Sequence, residues 1–263
     1  MKVNEKAIKK SMVFGNNDLA ISIQNLVKNY DDVKAINNLN LEIKTGELFS
    51  LLGPNGAGKT TTISILSGLL KPTQGNAFVG GYDILKELNS IKELIGVCPQ
   101  EAAIFKFLTG KENLELFGYL NGMSKGKIKA RIDYLLEMLE FEKDSKRKVK
   151  GYSGGMLRKL NILIALIHDP QIAFLDEPTV GMDPRARRKV WDFIRSLKEQ
   201  NKTIILTTHY MEEAETLSDR VGIIDYGELI AIGTPKELVE RFEVKNLEEV
   251  FLEITGRRIV EGI

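Results

Sequence analysis

The feature that most constrains the fold is the segment Gly53–Thr60 (GPNGAGKT), which matches the pattern G-x-x-x-x-G-K-[ST]. A continuously apolar strand, Glu47–Leu52, precedes it, and an apolar-periodic helix from about Lys59 to Leu70 follows. The glycines let successive backbone amides turn inward as a nest for an anion, and the helix N-terminus adds about half a positive charge. The segment therefore predicts a phosphate-binding loop in which Lys59 reaches the β- and γ-phosphates and the Thr60 hydroxyl ligates Mg²⁺.

A glycine-rich hairpin that matches the pattern by accident is the alternative. Average residue frequencies give such a match a chance of roughly one or two in a hundred in a chain of this length. The flanking strand and helix lower that chance, so the sequence favours nucleotide binding.

A second pattern is the apolar segment Ile172–Leu175, followed by Asp176 and Glu177. In a parallel sheet the carboxyl end of this strand faces the same edge as the phosphate-binding loop, where ligands bind. We expect Asp176 to hold Mg²⁺, often through its water, and Glu177 to orient and polarise the attacking water. The alternative is a solvated strand end, where acidic residues are common.

A third pattern, Tyr152–Met156 (YSGGM), stands at the start of a helix that is expected to run to Ile167. A serine hydroxyl and two glycine amides at a helix N-terminus form a second phosphate site. An ordinary N-cap is the alternative, and the presence of a phosphate-binding loop in the same chain makes the second phosphate site the favoured interpretation.

The order of the remaining segments predicts the fold class. Ala20–Val27 and Ala35–Ile43 alternate apolar and polar residues, which is typical of half-buried antiparallel strands. Residues from about 101 to 168 are mostly helical, and after them strands and helices alternate, as in a parallel sheet covered by helices. We therefore expect an α/β fold: a P-loop NTPase with a parallel sheet core, an N-terminal antiparallel β-subdomain and an inserted helical subdomain over about 101–168.

Composition excludes several other classes of protein. The 263 residues carry 37 Lys and Arg against 36 Asp and Glu, so the net charge of +1 gives no reason to wrap nucleic acid. Cys98 is the only cysteine, which rules out an internal disulfide. The longest wholly apolar run, Ile162–Ile167, is far shorter than the roughly 18 residues of a membrane span. These observations predict a cytosolic globular protein.

With these motifs in one order, the sequence resembles the ATP-binding subunits of ABC transporters over nearly all of residues 20–256. Residues 1–19 are then expected to be a flexible lead-in and residues 257–263 a C-terminal tail. The resemblance implies that Tyr30 stacks on adenine and that Asp183 belongs to a loop at the shared nucleotide, the D-loop Gly181–Asp183. It adds Thr61 to the phosphate-binding set, which is Gly53, Pro54, Asn55, Gly56, Ala57, Gly58, Lys59, Thr60 and Thr61, with the signature residues Ser153, Gly154 and Gly155.

The resemblance also implies the catalytic roles. Glu177 and His209 act on the γ-phosphate and the attacking water, and Gln100 senses Mg²⁺ and meets the membrane subunit. The implied Mg²⁺ ligands are Thr60, Gln100 and Asp176, and the implied cofactors are ATP and Mg²⁺. Two subunits, identical or related, would enclose two ATP molecules, each held by Lys59 of one chain and the signature residues of the other.

The implied partners are multi-span membrane permease subunits and a second ATP-binding subunit, without nucleic acid. The chain would lie at the cytoplasmic face of the cell membrane as a peripheral protein. The signature variant at Tyr152 and Met156 and the segment Leu247–Gly256 resemble the branch that exports drugs, lipids and polysaccharides. The alternatives are a soluble ABC-type ATPase that acts without a transporter, which commonly has two cassettes or a long coiled-coil insertion, and a P-loop kinase, which has no use for the signature residues.

Overall fold

The computed structural model describes residues 18–101 and 104–256. The expected tail over 257–263 lies outside the described residues, and so does the expected lead-in over 1–19 except for its last two residues. Of these, Leu19 already belongs to the first strand, which thus includes one residue ahead of the predicted boundary at residue 20.

Within the described part of the chain, the first sheet has four antiparallel strands in the order β2-β1-β4-β5. These strands are β1 Leu19–Tyr30, β2 Val33–Lys44, β4 Gln74–Val79 and β5 Tyr82–Asp83. Buried aliphatic side chains such as Ile21, Ile23 and Ile43 form one face of this sheet and pack with Phe49 and Leu51 of the second sheet. The predicted antiparallel β-subdomain is confirmed.

The second sheet has the order β10-β9-β3-β8-β7-β6 among the described residues. Its strands are β3 Leu48–Leu52, β6 Ile95–Cys98, β7 Ile172–Asp176, β8 Thr203–Thr208, β9 Arg220–Asp225 and β10 Glu228–Gly233. Neighbouring strands are parallel except for the β9–β10 hairpin. All residues of β3, β7 and β8 are buried, because helices and the first sheet cover both faces.

Helices surround this sheet, and one group of them forms a lobe. They are α1 Lys59–Leu66, α2 Leu88–Leu94, α3 Gly110–Leu120, α4 Lys125–Met138, α5 Glu142–Ser145, α6 Gly154–Leu166, α7 Pro184–Glu199, α8 Met211–Leu217, α9 Pro235–Arg241 and α10 Leu247–Thr255. The lobe consists of α3 to α6. The apolar face of α4 is buried, and α3 and α9 begin with capping boxes at Thr109 and Thr234.

Helix α1 is shorter than the sequence pattern predicts, since it ends at Leu66 instead of Leu70. Gly68 has a φ of +74°, which takes the chain out of the helix. The amides of Leu69 and Leu70 then both donate to the carbonyl oxygen of Ser64, at 2.8 and 3.0 Å. The apolar periodicity of the sequence continues past this point, which is why it overestimates the length of the helix.

No helix in the two described ranges combines the length and the apolar character that crossing a bilayer requires.

The feature of the fold that matters for the site is the direction of the parallel strands. The strands β3, β6, β7 and β8 end at the same edge of the sheet, and each is followed there by one of the predicted site segments.

Candidate active site at the carboxyl edge of the sheet

Strand register brings the predicted residues together. Leu52, which precedes the phosphate-binding loop, pairs with Thr208, and Asp176 pairs with Thr207 on the other side of β8. His209 follows β8 directly, and Gln100 lies two residues beyond the end of β6. Residues that are far apart in the sequence therefore meet because four parallel strands end side by side.

The loop Gly53–Thr60 has the backbone that its glycines predict. Gly56 and Gly58 have φ values of +82° and +103°, a region that L side chains rarely adopt. A Cβ atom at Gly58 would lie 2.5 Å from the carbonyl oxygen of Ala35, so this position also has no room for a side chain. The loop passes directly into α1, which starts at Lys59.

Lys59 is the buried cation of the site, with 4% of its surface exposed. Its Nζ donates to the carbonyl oxygens of Gly53 at 2.7 Å and Pro54 at 3.0 Å, and it lies 3.4 Å from Glu177 Oε1. Burial lowers the pKa of the Lys59 ammonium, and the charge of Glu177 opposes that shift. The loop thus places one cation where a phosphate chain would lie.

Glu177 is held from three sides. Its amide donates to the carbonyl oxygen and the hydroxyl of Thr207, both at 3.1 Å, and its φ is +48°. Its Oε1 lies 3.1 Å from His209 Nδ1. Burial raises the pKa of the carboxyl, but the His209 hydrogen bond and the Lys59 charge outweigh burial, so the pKa lies below its usual value. Glu177 is therefore an anion at neutral pH, able to accept a hydrogen bond from water.

Asp176 is 1% exposed and accepts a hydrogen bond from the Thr207 hydroxyl. Thr207 therefore orients both carboxylate residues, a role that its local sequence does not predict. Its only sequence signal is its place at the end of an apolar strand, two residues before His209.

The donor set at this edge fits Mg²⁺, which prefers oxygen ligands and binds through one or two carboxylates together with phosphates. Asp176 supplies a carboxylate, Thr60 a hydroxyl in the first turn of α1, and Gln100 an amide oxygen. Among residues 18–101 and 104–256, no three His, Cys, Asp or Glu side chains cluster as a metal site. The donors thus suit an ion that is completed by phosphate oxygens better than one held by protein alone.

Two cavities meet at Gln100. One, of about 330 Å³, is lined by the phosphate-binding loop, Thr61, Ala35, Gln100 and Glu177. The other, of about 510 Å³, is lined by Gln100 together with Gly154 of α6 and Gly181. The predicted loop, catalytic acid and glutamine therefore share a cavity, whereas a signature residue lines a different one. Nothing in the local sequence of Ala35 predicts that it lines this cavity.

Gln100 is held in place by the helix that follows the signature residues. The Arg158 guanidinium donates to the carbonyl oxygens of Pro99 at 3.1 Å and Gln100 at 2.7 Å, and Asn161 Nδ2 donates to that of Pro99 at 2.7 Å. Both side chains belong to α6. These residues were also missed, because the contact joins segments about sixty residues apart.

The remaining predicted residues lie at the rim. Ser153 caps α6 by accepting from the Met156 amide at 3.3 Å, and Asp183 caps α7 by accepting from the Arg185 and Ala186 amides. Tyr30 is 42% exposed at the end of β1. Within the described ranges, the walls of the loop cavity include none of Tyr30, Ser153 and Asp183. A single chain therefore does not bring these residues to its own loop cavity.

Comparison with known proteins gives a consistent result. The family model described as ABC transporter matches residues 36–180. The chain is 43% identical over 240 residues to the linearmycin resistance ATP-binding protein LnrL of Bacillus subtilis, covering 88% of this chain and 77% of that protein. It is 44% identical over 228 residues to the doxorubicin resistance ATP-binding protein DrrA of Mycobacterium tuberculosis, covering 86% and 69%.

Solved structures agree with these matches. An ATP-binding subunit of an ABC transporter superposes with a TM-score of 0.82 at 27% identity, covering 90% of this chain and 99% of that one. A dimeric ATP-binding cassette in a post-hydrolysis state, bound to ADP and phosphate, superposes with a TM-score of 0.75 at 30% identity, covering 81% and 98%. The α/β fold with its P-loop core is therefore confirmed.

Proposed function

The chain belongs to the ABC transporter family as an ATP-binding subunit with ATPase activity, and on that premise we propose how its own residues bind and hydrolyse ATP. The observation that carries the proposal is the buried array of Lys59, Glu177 and His209, joined by contacts of 3.4 and 3.1 Å beside the phosphate-binding loop. This array puts a cation, an ionised carboxylate and an imidazole within one short span.

We propose that the phosphates lie in the loop cavity and replace the carbonyl groups as partners of Lys59. The backbone amides of residues 53–61, except Pro54, which has no N–H, surround the phosphates, and Tyr30 stacks on the adenine. Glu177 accepts a hydrogen bond from the attacking water and orients it toward the γ-phosphorus, and His209 keeps the carboxylate in place and reaches the γ-phosphate. Thr207 fixes the direction of both Asp176 and Glu177.

Mg²⁺ is proposed as the second cofactor, held by Thr60, Asp176 and Gln100. When bound, it would neutralise charge on the phosphate oxygens. The residues of the chain contribute the oxygen donors, and the hydrogen bond from the Thr207 hydroxyl orients the buried Asp176 carboxylate.

A second subunit is proposed to complete each site. The family works as dimers with membrane subunits, and Ser153 to Gly155 stand at a helix N-terminus that does not line the chain's own loop cavity. Closing a dimer from 1:99 to 99:1 takes about 5.5 kcal/mol of differential binding. Each charge-assisted hydrogen bond contributes roughly 1.5–3 kcal/mol, so a few γ-phosphate contacts from Ser153, Gly155 and the Asp183 loop suffice. Hydrolysis removes those contacts and reopens the dimer.

The membrane partner is proposed to bind a docking loop, defined here as residues 104–108. Phe105 and Phe107 are 53% and 79% exposed, although large apolar side chains are costly to leave in water. The loop is nonetheless held rigidly, since the buried Asn113 accepts from the Phe105 amide at 2.9 Å and donates to its carbonyl at 3.1 Å. A cytoplasmic segment of a multi-span permease subunit is the proposed occupant, which would place the chain at the cytoplasmic face of the membrane.

The docking loop is linked to the signature residues by backbone hydrogen bonds. The amides of Val149 and Lys150 donate to the carbonyl oxygens of Leu108 and Lys106, at 2.9 and 2.8 Å. Residues 149–152 lead directly into Ser153. A displacement of the docking loop would therefore move α6. In the reverse direction, the movement of α6 on dimer closure would displace the docking loop and the permease bound to it. The drug-resistance names of the relatives support export as the direction of transport.

The experiment that tests the proposed function replaces Glu177 with Gln, which keeps the size of the side chain and removes its charge. We expect Glu177→Gln to bind ATP with an affinity within about threefold of the unaltered chain and to lose at least about 100-fold in kcat. Equilibrium binding of ATP and release of phosphate, each with and without Mg²⁺, measure the two effects. Glu199→Gln, at an exposed helix position, is the control. Full turnover by Glu177→Gln would remove this residue from the proposed role.

A further inference from the structure

Three segments that carry predicted site residues leave the carboxyl edge of the sheet and enter the same part of the core. Glu177 leads into a turn that contains Thr179, Asp183 caps α7, which contains Trp191, and His209 leads into α8, which contains Glu213. Hydrolysis requires these segments to keep fixed positions relative to one another, because a misplacement of about 1 Å lowers rates strongly.

Glu213 contacts the other two segments at once. It is 0% exposed, and its Oε1 accepts from the Thr179 hydroxyl at 2.7 Å and from Trp191 Nε1 at 2.8 Å. One carboxylate oxygen therefore joins the turn after Glu177, the helix capped by Asp183 and the helix that follows His209.

A second contact links the same helices. The Arg187 guanidinium of α7 lies 4.7 Å from the centroid of the Tyr210 ring, and that ring lies 4.3 Å from the ring of His209. Burial raises the pKa of the Glu213 carboxyl, and the Arg187 charge opposes that shift. Helix α7 is thus connected to the His209 segment twice, through Arg187 on Tyr210 and through Trp191 on Glu213.

The chemistry of the contact indicates more than packing. Burying a carboxyl group is unfavourable unless its partners are in place, and an apolar side chain would fill the same volume at lower cost. What an apolar residue cannot do is hold a hydroxyl and an indole N–H from two different segments in one geometry. Hydrogen bonds are directional, so they fix positions that packing alone leaves adjustable.

We propose that Glu213 is a positioning residue for hydrolysis, which holds the Glu177 turn and the His209 segment in register with the helix capped by Asp183. The inference rests on the proposed function, since it assigns a purpose to the relative positions of those three residues. Glu213 does not touch the nucleotide; it acts through Thr179 and Trp191.

The test compares Glu213→Leu, Glu213→Gln and Thr179→Val in the full chain, with Glu212→Leu as the control at the exposed neighbouring position. We expect Glu213→Leu to lower kcat at least tenfold while the affinity for ATP stays within twofold. Glu213→Gln should recover most of the kcat, because its amide oxygen can accept from the same two donors. Thr179→Val should lower kcat in the same way, and the double variant with Glu213→Leu should lose no more than the worse single variant.

Trp191→Phe keeps a smaller aromatic side chain and removes the N–H donor, so it tests the contact if Glu213→Leu fails to fold. The proposal is overturned if kcat in Glu213→Leu, Thr179→Val and Trp191→Phe matches that of the control. It is also overturned if kcat, ATP affinity and melting temperature fall together and Gln rescues none of them, which would indicate a structural role. An inactive unaltered chain would instead contradict the proposed function itself.

Discussion

At the residue scale, the charged side chains of the site are buried as oppositely charged pairs. Lys59 and Glu177 are both buried, and each would be costly alone, because removing one partner of a buried pair costs about 3–5 kcal/mol. The lysine and the two carboxylates could be identified from local motifs in the sequence, and the histidine only from the family resemblance. Thr207, Ala35 and Glu213 could not, because what marks them is a contact with a segment distant in the sequence and not a local pattern.

A prediction at this scale concerns Gly58, where a side chain meets both backbone strain and a close oxygen. Gly58→Ala should lower the free energy of unfolding by more than about 2 kcal/mol, since a positive φ costs an L residue roughly 1 kcal/mol and the clash with the Ala35 oxygen adds to it. Its affinity for ATP should fall at least tenfold, because the loop must shift. Urea unfolding and equilibrium nucleotide binding measure these effects.

Gly81→Ala is the matched control for that variant. Gly81 has a φ of +81°, and no atom of the described residues would lie within 4 Å of an added Cβ. It should lose only about 1 kcal/mol and keep its affinity for ATP. Equal losses of stability in the two variants would contradict the importance of the close approach between the loop and Ala35.

At the scale of elements, the lobe α3–α6 shares a hydrophobic core with the parallel sheet, and specific hydrogen bonds join it to the strand ends. Arg158 and Asn161 of α6 hold the backbone at Pro99 and Gln100, and the docking loop pairs with the residues before Ser153. The existence, type and order of these elements could be predicted, because hydrophobic period and capping boxes are local signals. The end of α1 could not be predicted in this way, because Gly68, with its positive φ, ends the helix while the apolar pattern of the sequence continues.

The prediction for these elements is that Phe107→Asp releases the membrane subunit. A charge at the centre of an apolar contact removes one of its main anchors, so recovery of the permease with the chain should fall at least tenfold. The measurement is co-purification from detergent-solubilised membranes of the native cells, with the partner identified by mass spectrometry as a multi-span protein. ATP affinity should not change.

Leu69→Asp is the control for this variant, since Leu69 is 70% exposed but lies beyond α1, outside the lobe. It should retain the permease. Undiminished recovery with Phe107→Asp would contradict the docking loop. If no multi-span protein accompanies even the unaltered chain, the alternative of an ABC-type ATPase without a transporter would be favoured.

At the scale of the whole molecule, the fold separates the two proposed halves of the ATP site. The phosphate-binding loop opens at the sheet edge, while Ser153 and Gly155 stand at the start of α6 and line no part of the loop cavity within the described ranges. Two copies, or this chain and a related one, can bring the halves together around shared ATP. The sequence motifs predict both halves, but only the arrangement of the lobe indicates why one chain is not enough.

The most direct test of this account is small-angle X-ray scattering of the Glu177→Gln chain with Mg²⁺ and ATP, because that variant should keep ATP bound. We expect a particle of twice the mass of one chain, and a monomer when Ser153→Arg is added, since the new side chain blocks the phosphate contact of the partner. The chain with Thr109→Arg in place of Ser153→Arg should still dimerise, because it introduces arginine at the N-cap of a different helix of the lobe. A dimer that persists with Ser153→Arg, or monomers throughout even with the permease supplied, would contradict the shared ATP site.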